Sequence, residues 1–300
     1  MPNLSLRERL IDPKSPDRRP RRAAYALPTL FTAGNVYLGF VAITESLLGA
    51  AAYSAGHTGS EHFVLASKAI GWAILLDGLD GRIARMTNTV SEFGKEMDSL
   101  ADVITFGLAP AVLAYAWGMQ LVVLPAELPW LQKHLPNIGV FISFLFLLCG
   151  SLRLARFNVQ KNPTPSNPGR ADRKYFVGMA IPAAAGVVAS IIYYLDGEPL
   201  RLWVHMIAWL ALLASCAFLM VSAWRYPSFK EINLLRPRSS ISYVVVAVVL
   251  YILWNFSQPA LLALSVVYMG SGIMIRLGGL LRRRIRSSRP PNPEPERQVG

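Results

Sequence analysis

Four aspartates lie close together in the sequence, on the two sides of a single connection. Asp77 and Asp80 are three residues apart, and Asp98 and Asp102 are four residues apart. Residues at these spacings lie on one face of a helix, a turn apart. Two antiparallel helices joined by the intervening loop would therefore bring all four carboxylates together at one depth.

Such a cluster predicts a site for divalent cations. Like charges in a confined site repel one another, so four carboxylates stay ionised at close range only if cations neutralise them. Ligation by oxygen alone suits Mg²⁺, Mn²⁺ or Ca²⁺ rather than zinc. Two metals held by four aspartates are typical of sites that clamp a phosphate ester or anhydride during displacement. The expected cofactors are two divalent cations, Mn²⁺ or Mg²⁺.

Small residues accompany the aspartates. Gly78, Gly81 and Ala84 lie on or beside the aspartate face, where larger side chains would block a bulky ligand. Small residues also let membrane helices pack closely, which is the alternative interpretation. The neighbouring carboxylates favour the ligand-binding interpretation.

Other titratable side chains do not extend this cluster. The histidines fall on or near connections at the opposite side of the predicted bundle, at His57, His62, His134 and His205. Glu45, a lone acid in an apolar segment, is expected near an interface or against a partner rather than in catalysis. Cys149 and Cys216 lie in apolar runs without metal-like spacing, which excludes a disulfide framework.

The composition predicts that these helices cross a membrane. Hydrophobic residues make up 53% of the 300 and charged residues only 16%, against about 25% charged in soluble domains. Eight stretches approach the roughly 20 apolar residues that span a bilayer. They are residues 27–53, 63–76, 100–121, 138–157, 176–195, 202–224, 241–256 and 259–275. Ser257 and Gln258 alone separate the last two, which predicts a tight helical hairpin; six or seven spans remain the alternative.

The positive charges predict the orientation. The formal net charge is +12, and all Lys and Arg except Lys68, Lys133 and Arg201 fall on the two tails or on alternate connections. Basic loops stay in the cytoplasm. The expected architecture is therefore all-α, a polytopic integral membrane helix bundle of about eight helices with both termini inside. The basic charge is explained without nucleic acid, and the aspartates would face the cytoplasmic side of the inner (plasma) membrane.

The aspartates also belong to a longer pattern. Residues 77–102 read Asp-x₂-Asp-Gly-x₂-Ala-Arg-x₈-Gly-x₃-Asp-x₃-Asp. This resembles the signature of the CDP-alcohol phosphatidyltransferase family at all eight fixed positions. Residues 28–35, 98–110 and 152–158 resemble the serine-accepting branch of that family. Residues 176–182 resemble its Phe-x-Gly-Leu-Pro-x-Pro motif, with Met179 and Ala180 in place of Leu and Pro.

The resemblance implies an activity and a division of the chain. The activity is transfer of a phosphatidyl group from CDP-diacylglycerol to the hydroxyl of L-serine, with release of CMP. The catalytic core would be residues 25–200, with further membrane helices at 201–278. Basic cytoplasmic segments would flank them at 1–24 and 279–300. The membrane lipids are expected partners, and a homodimer is one compatible oligomeric state.

The resemblance also assigns roles to single residues. It implies that Asp77, Asp80 and Asp98 hold the metal pair, with Asp102 at its edge and acting as the general base. The cytidine diphosphate would bind near five residues, namely Thr32, Asn35, Gly81, Ala84 and Arg85.

Two arginines are candidates for recognising an anion. Arg153 and Arg156 are three apart at the predicted cytoplasmic end of the fourth span. They are predicted to bind either the pyrophosphate or the serine carboxylate, and snorkelling to headgroups is the alternative.

Two other functions stay open on sequence grounds. The same chemistry could serve another alcohol: glycerol 3-phosphate, an inositol phosphate or choline. A more distant alternative is an ion-coupled transporter that uses the aspartates as its ion site.

Overall fold

Helices make up most of the described chain. The computed structural model describes residues 22–87, 92–160, 175–227, 251 and 255–287. The helices are α1 (Arg22–Ser54), α2 (Ser60–Thr87), α3 (Glu92–Asp102), α4 (Ala109–Gly118), α5 (Pro129–Gln160), α6 (Ile181–Tyr194), α7 (Trp203–Val221) and α8 (Ser257–Ser287). A π-helical segment, Val103–Leu108, joins α3 to α4. Two three-residue strands, β1 (Tyr175–Val177) and β2 (Arg225–Pro227), pair antiparallel.

The described helices confirm a polytopic membrane bundle. Six stretches are long and apolar enough to cross a bilayer: Thr29–Ser54, Ser60–Leu79, Phe93–Gly118, Pro129–Val159, Trp203–Val221 and Ser257–Arg276. Helix α6 is apolar but shorter. These seven elements overlap seven of the eight predicted stretches, and the total count and the orientation stay predictions.

The remaining predicted stretch, residues 241–256, lies outside the described residues except for Tyr251, Asn255 and Phe256. The backbone bends at Phe256, and α8 begins at Ser257. Ser257 and Gln258 therefore form the first turn of a helix, where the sequence suggested a bare connection.

The bundle is apolar both inside and outside. Trp117, Phe106 and Phe146 are fully buried. Trp117 packs edge-on against Trp209 of α7, with 5.0 Å between ring centroids. Phe40, Trp72 and Phe141 instead lie largely exposed on the outer surface. An apolar exterior of this kind is stable in hydrocarbon but would promote aggregation in water. The pattern therefore agrees with helices surrounded by lipid.

Helices α1 and α2 form the antiparallel pair that carries part of the site. They are joined by only five residues, 55–59, and Tyr53 stacks with Phe63 across the joint at 6.2 Å. The α3–π–α4 rod then packs against α1. This arrangement places the end of α2 and the junction of α3 with the π segment beside each other.

Candidate active site

Three of the four predicted aspartates meet in the structure. Asp77 extends from α2, and Asp98 and Asp102 extend from α3. One carboxylate oxygen from each lies within 4.8 Å of the other two, and all three residues are partly buried. Oxygen donors this close form a ligand set suited to a hard divalent cation. The helical spacing therefore predicted the convergence of these three correctly.

The fourth aspartate lies one turn further along α2. Asp80 is within that helix, but its side chain lies outside the described part of the structure, as do those of Ala84 and Arg85. Gly81 is half-buried. The roles predicted for these four residues therefore stay predictions.

A widened helical turn begins immediately after Asp102. The π segment Val103–Leu108 follows it directly, with Thr105 fully buried. The Thr105 hydroxyl donates a hydrogen bond to the main-chain oxygen of Asn35 on α1, at 3.0 Å. Single π turns inside α-helices occur frequently at functional sites. Here the turn fixes the end of α3, and with it Asp102, against the first helix.

The predicted donor residues of α1 lie inside the bundle. Thr32 is 5% exposed and Asn35 only 2%. The side-chain oxygen Oδ1 of Asn35 is buried and has no hydrogen-bond partner among the described residues. Buried polar atoms without partners are rare and call for an explanation. One explanation is that this oxygen accepts a hydrogen bond from a ligand, which agrees with the predicted role of Asn35 in binding the donor.

Gly78 supports the ligand-binding interpretation of the small residues. A Cβ added there would meet no described protein atom within 4 Å, beyond its own helix and chain neighbours. A glycine needed for close helix packing would show a nearby partner helix instead. No described side chain fills the space beside Gly78, which leaves room there for a ligand.

The two predicted arginines have different surroundings. Arg153 is partly buried, and its Nε atom is buried without a hydrogen-bond partner in the described chain. It lies within charge–charge range of the Asp102 carboxylate. Arg156, one turn later, is exposed. Their spacing suggested a shared ligand, whereas the structure buries part of Arg153 near Asp102 and leaves Arg156 exposed.

Sequence reasoning missed one contact in this region. Asn158 donates a hydrogen bond from Nδ2 to Ser99 Oγ, at 2.8 Å, and so ties the end of α5 to the helix that carries Asp98. Both residues lie in segments with a family resemblance, which was a usable signal.

Glu45 has a local partner away from the aspartates. Its Oε2 atom lies 2.6 Å from Nδ1 of His62, which connects α1 to the start of α2. The expectation that Glu45 packs with a partner rather than acting in catalysis agrees with this pair. The group of three carboxylates described above includes no histidine.

Sequence comparison identifies the family. The family model described as CDP-alcohol phosphatidyltransferase matches residues 25–221, which is more than half of the chain. The chain belongs to the CDP-alcohol phosphatidyltransferase family. This confirms the resemblance found in residues 77–102. Members of the family are phosphotransferases that depend on divalent cations, and the three clustered aspartates could bind such an ion.

Individual curated relatives narrow the comparison. The chain is similar to the CDP-diacylglycerol–serine O-phosphatidyltransferase of Helicobacter pylori, with 36% identity over 220 residues covering 71% of this chain and 77% of the relative. The protein of that name from Bacillus subtilis is 32% identical over 205 residues, covering 68% and 92%. The archaetidylserine synthase of Methanothermobacter thermautotrophicus is 36% identical over 157 residues, covering 52% and 54%.

Proposed function

We propose that this protein is a phosphatidylserine synthase that transfers the phosphatidyl group of CDP-diacylglycerol to L-serine and releases CMP. The observation that carries the proposal is the meeting of Asp77, Asp98 and Asp102 beside a partly buried arginine. Relatives whose names specify serine as acceptor support it. The aspartate motif is common to the whole family and does not distinguish one acceptor from another. The assignment of serine as the acceptor therefore rests on Arg153 and on the named relatives.

Arg153 is the proposed ligand of the serine carboxylate. Its guanidinium interacts with Asp102 and keeps a buried donor, Nε, without a described partner. A planar guanidinium donates two parallel hydrogen bonds to a carboxylate. Bound there, serine would place its hydroxyl near Asp102. Arg156 is exposed and has a lesser part in this proposal, either at the pyrophosphate or at lipid headgroups.

Asp102 is the proposed general base. A serine hydroxyl is a weak nucleophile at neutral pH and needs a proton acceptor as it attacks. The hydroxyl oxygen forms a bond to the phosphorus that carries diacylglycerol, the bond from that phosphorus to CMP breaks, and the proton passes to the Asp102 carboxylate. Asp102 lies a turn beyond Asp98 and directly before the π segment, within charge–charge range of Arg153.

Asp77, Asp80, Asp98 and Asp102 are the proposed ligands of two Mn²⁺ or Mg²⁺ ions. The mutual approach of three of these carboxylates supports the assignment. Bound cations would neutralise the charge of the pyrophosphate and of departing CMP. By holding the cations in place, the carboxylates would also fix the position of the donor's pyrophosphate.

The donor is proposed to bind between α1 and α2. Thr32, Asn35, Gly81, Ala84 and Arg85 would contact its cytidine diphosphate, and the open space at Gly78 would admit it. With the termini inside, this pocket lies at the cytoplasmic face, within the core at residues 25–200. The diacylglycerol tails would then stay in the inner leaflet.

An acceptor screen tests the proposal. Purified protein is given CDP-diacylglycerol with L-serine, glycerol 3-phosphate, inositol phosphate or choline, in Mn²⁺ and in Mg²⁺ separately, and CMP release is measured. Of these four acceptors, we expect only L-serine to support CMP release. Release with another alcohol would contradict the acceptor and keep the chemistry. No release with any acceptor, together with ion flux in proteoliposomes, would favour the transporter.

A further inference from the structure

Asn158, near the end of α5, contacts the helix that carries two of the clustered aspartates. Its side-chain nitrogen Nδ2 donates a hydrogen bond to Ser99 Oγ on α3, at 2.8 Å. Ser99 directly follows Asp98 in the chain and precedes Asp102 by three residues. Side chains three residues apart on a helix are neighbours, with about 5–6 Å between their Cβ atoms. The Asn158 amide therefore lies at the edge of the aspartate cluster, beside the turn of α3 that ends at Asp102.

The contacts of Ser99 determine which way this amide faces. The Ser99 hydroxyl donates its only proton to the main-chain oxygen of Lys95, at 3.0 Å. The hydroxyl oxygen can therefore only accept from Asn158, so the amide nitrogen, and not the amide oxygen, must face Ser99. The amide oxygen Oδ1 then points away from Ser99, and it has no hydrogen-bond partner among the described residues. Because Asn158 is only half-buried, this oxygen is available to a donor group of a ligand.

An amino-acid acceptor carries such a donor group. L-Serine has a carboxylate, a hydroxyl and an ammonium, and the proposed function gives partners only to the first two, Arg153 and Asp102. The clustered aspartates are the proposed ligands of the metal cations, which neutralise their charge. An ammonium that leaves water needs acceptors for its N–H groups. A neutral amide oxygen at the edge of the cluster is suited to that need.

We propose that Asn158 is a specificity-determining residue of the acceptor site, whose Oδ1 accepts a hydrogen bond from the ammonium of an amino-acid acceptor. Ser99 holds the amide in the orientation that this bond requires. The proposal rests on the proposed function. Together with Arg153 and Asp102, Asn158 makes three separate contacts to the groups around the central carbon of serine, the number needed to distinguish an amino acid from its mirror image. The site therefore prefers L-serine to D-serine, and to 3-hydroxypropionate, which is serine without its amine.

The test compares the binding of serine and of its amine-free analogue in the purified full-length protein. 3-Hydroxypropionate is added as a competitor of L-serine, so that its inhibition constant reports binding whether or not it reacts. In Asn158→Ala the KM for L-serine should rise about tenfold, the weight of a hydrogen bond to a charged group. The inhibition constant of 3-hydroxypropionate and the KM for CDP-diacylglycerol should stay at wild-type values.

Two further variants complete the comparison. Ser99→Ala keeps Asn158 and leaves its amide free to turn, so the KM for L-serine should rise several-fold, again without a change for 3-hydroxypropionate. Asn137→Ala is the matched control, because Asn137 is exposed in the first half of α5 and donates to the main-chain oxygen of Lys133. This variant should keep wild-type values for both compounds.

Three results would overturn the proposal. One is an unchanged KM for L-serine in Asn158→Ala. Another is an equal loss of affinity for L-serine and for 3-hydroxypropionate in that variant, since a merely structural role affects both compounds alike. The third is a wild-type protein that binds 3-hydroxypropionate as tightly as L-serine, because the ammonium would then contribute nothing.

The proposed function is judged by a different measurement, the release of CMP by the wild-type protein with L-serine. If the wild-type protein uses L-serine and Asn158→Ala shows no selective loss, the proposed function stands and the role of Asn158 alone fails. Glycerol 3-phosphate, inositol phosphate and choline have no N–H donor. A wild-type protein that uses one of them and not L-serine would therefore overturn both.

Discussion

The hydroxyl of Thr105 donates a hydrogen bond, 3.0 Å long, to the main-chain oxygen of Asn35, seventy residues earlier in the chain. Carbonyl oxygens inside a helix normally accept only from their own helix. This extra bond joins the buried donor-side residue Asn35 to the π turn that follows Asp102. The proposed donor and acceptor sides of the site are therefore connected through one contact between helices.

Gly39 permits this contact, and its replacement should disturb the site. A Cβ at Gly39 would lie 2.6 Å from Thr105 Oγ1 and 2.9 Å from Thr105 Cα. Because the backbone must move, Gly39→Ala should destabilise the protein by about 1–3 kcal/mol and lower kcat. Thermal unfolding in detergent and CMP release measure the two effects. Gly71→Ala on α2 is the matched control, because a Cβ there meets no described atom within 4 Å beyond its own helix. Wild-type stability and turnover in Gly39→Ala would contradict the coupling.

Gly78 should matter for the donor and not for the fold. A Cβ there also meets no described protein atom within 4 Å, so Gly78→Ala should unfold at or slightly above the wild-type temperature, as expected for a glycine replaced by alanine inside a helix. Beside Asp77, the added methyl should raise the KM for CDP-diacylglycerol several-fold. Gly71→Ala, seven residues earlier on the same helix, should leave that KM unchanged. Equal donor KM values in the two variants would mean that the donor binds elsewhere.

Metal dependence should be complete. Chelator should abolish CMP release, and Mn²⁺ or Mg²⁺ should restore it, because carboxylate oxygens prefer hard cations. Binding should also raise the melting temperature of the wild-type protein. Asp77→Asn should lose that rise. Asp196→Asn should keep it, since Asp196 lies on the α6–α7 connection with φ +52°, a conformation that asparagine also adopts.

Two results would count against this metal site. One is full activity after exhaustive removal of metal, and the other is a best rate with Zn²⁺ alone.

Substitutions of Arg153 and of Arg156 should have different effects on the KM for serine. Arg153→Lys keeps the charge but removes the planar donor pair, so the KM for serine should rise about tenfold while the KM for CDP-diacylglycerol changes little. Arg156→Lys, at an exposed position one turn away, should have a much smaller effect on serine. Steady-state kinetics with each substrate varied in turn checks this. An equal loss for both substrates in Arg153→Lys would indicate a pyrophosphate or structural role.

Asp102→Asn should lower turnover while leaving the binding of metal and of CDP-diacylglycerol nearly unchanged. Asparagine keeps the size of the side chain and removes the proton acceptor, so kcat should fall by about 10²-fold or more. The variant should still bind Mn²⁺ in the melting assay and keep its KM for CDP-diacylglycerol. Near-normal turnover would show that another group accepts the proton.

The sequence by itself determined the helical nature of the bundle and the three-aspartate cluster. Both depend on short-range regularities: a run of apolar residues sets a membrane span, and spacings of three and four place carboxylates on one helix face. The convergence of Asp77, Asp98 and Asp102 could therefore be predicted, because one connection joins their helices. The same local pattern also identified the family.

Tertiary packing decided what local spacing does not encode. Arg153 and Arg156 look equivalent in sequence, and only the packing of α5 within the bundle leaves one partly buried beside Asp102 and the other exposed. The π turn was invisible as well, and so was the hydrogen bond that joins its Thr105 to a residue seventy positions away. The docking of α8 was not predictable either, since Ser265 bonds to the backbone of α6 and Met269 contacts Cys216 of α7. Such contacts arise from the fit of whole helix surfaces, which the order of residues along any one helix does not specify.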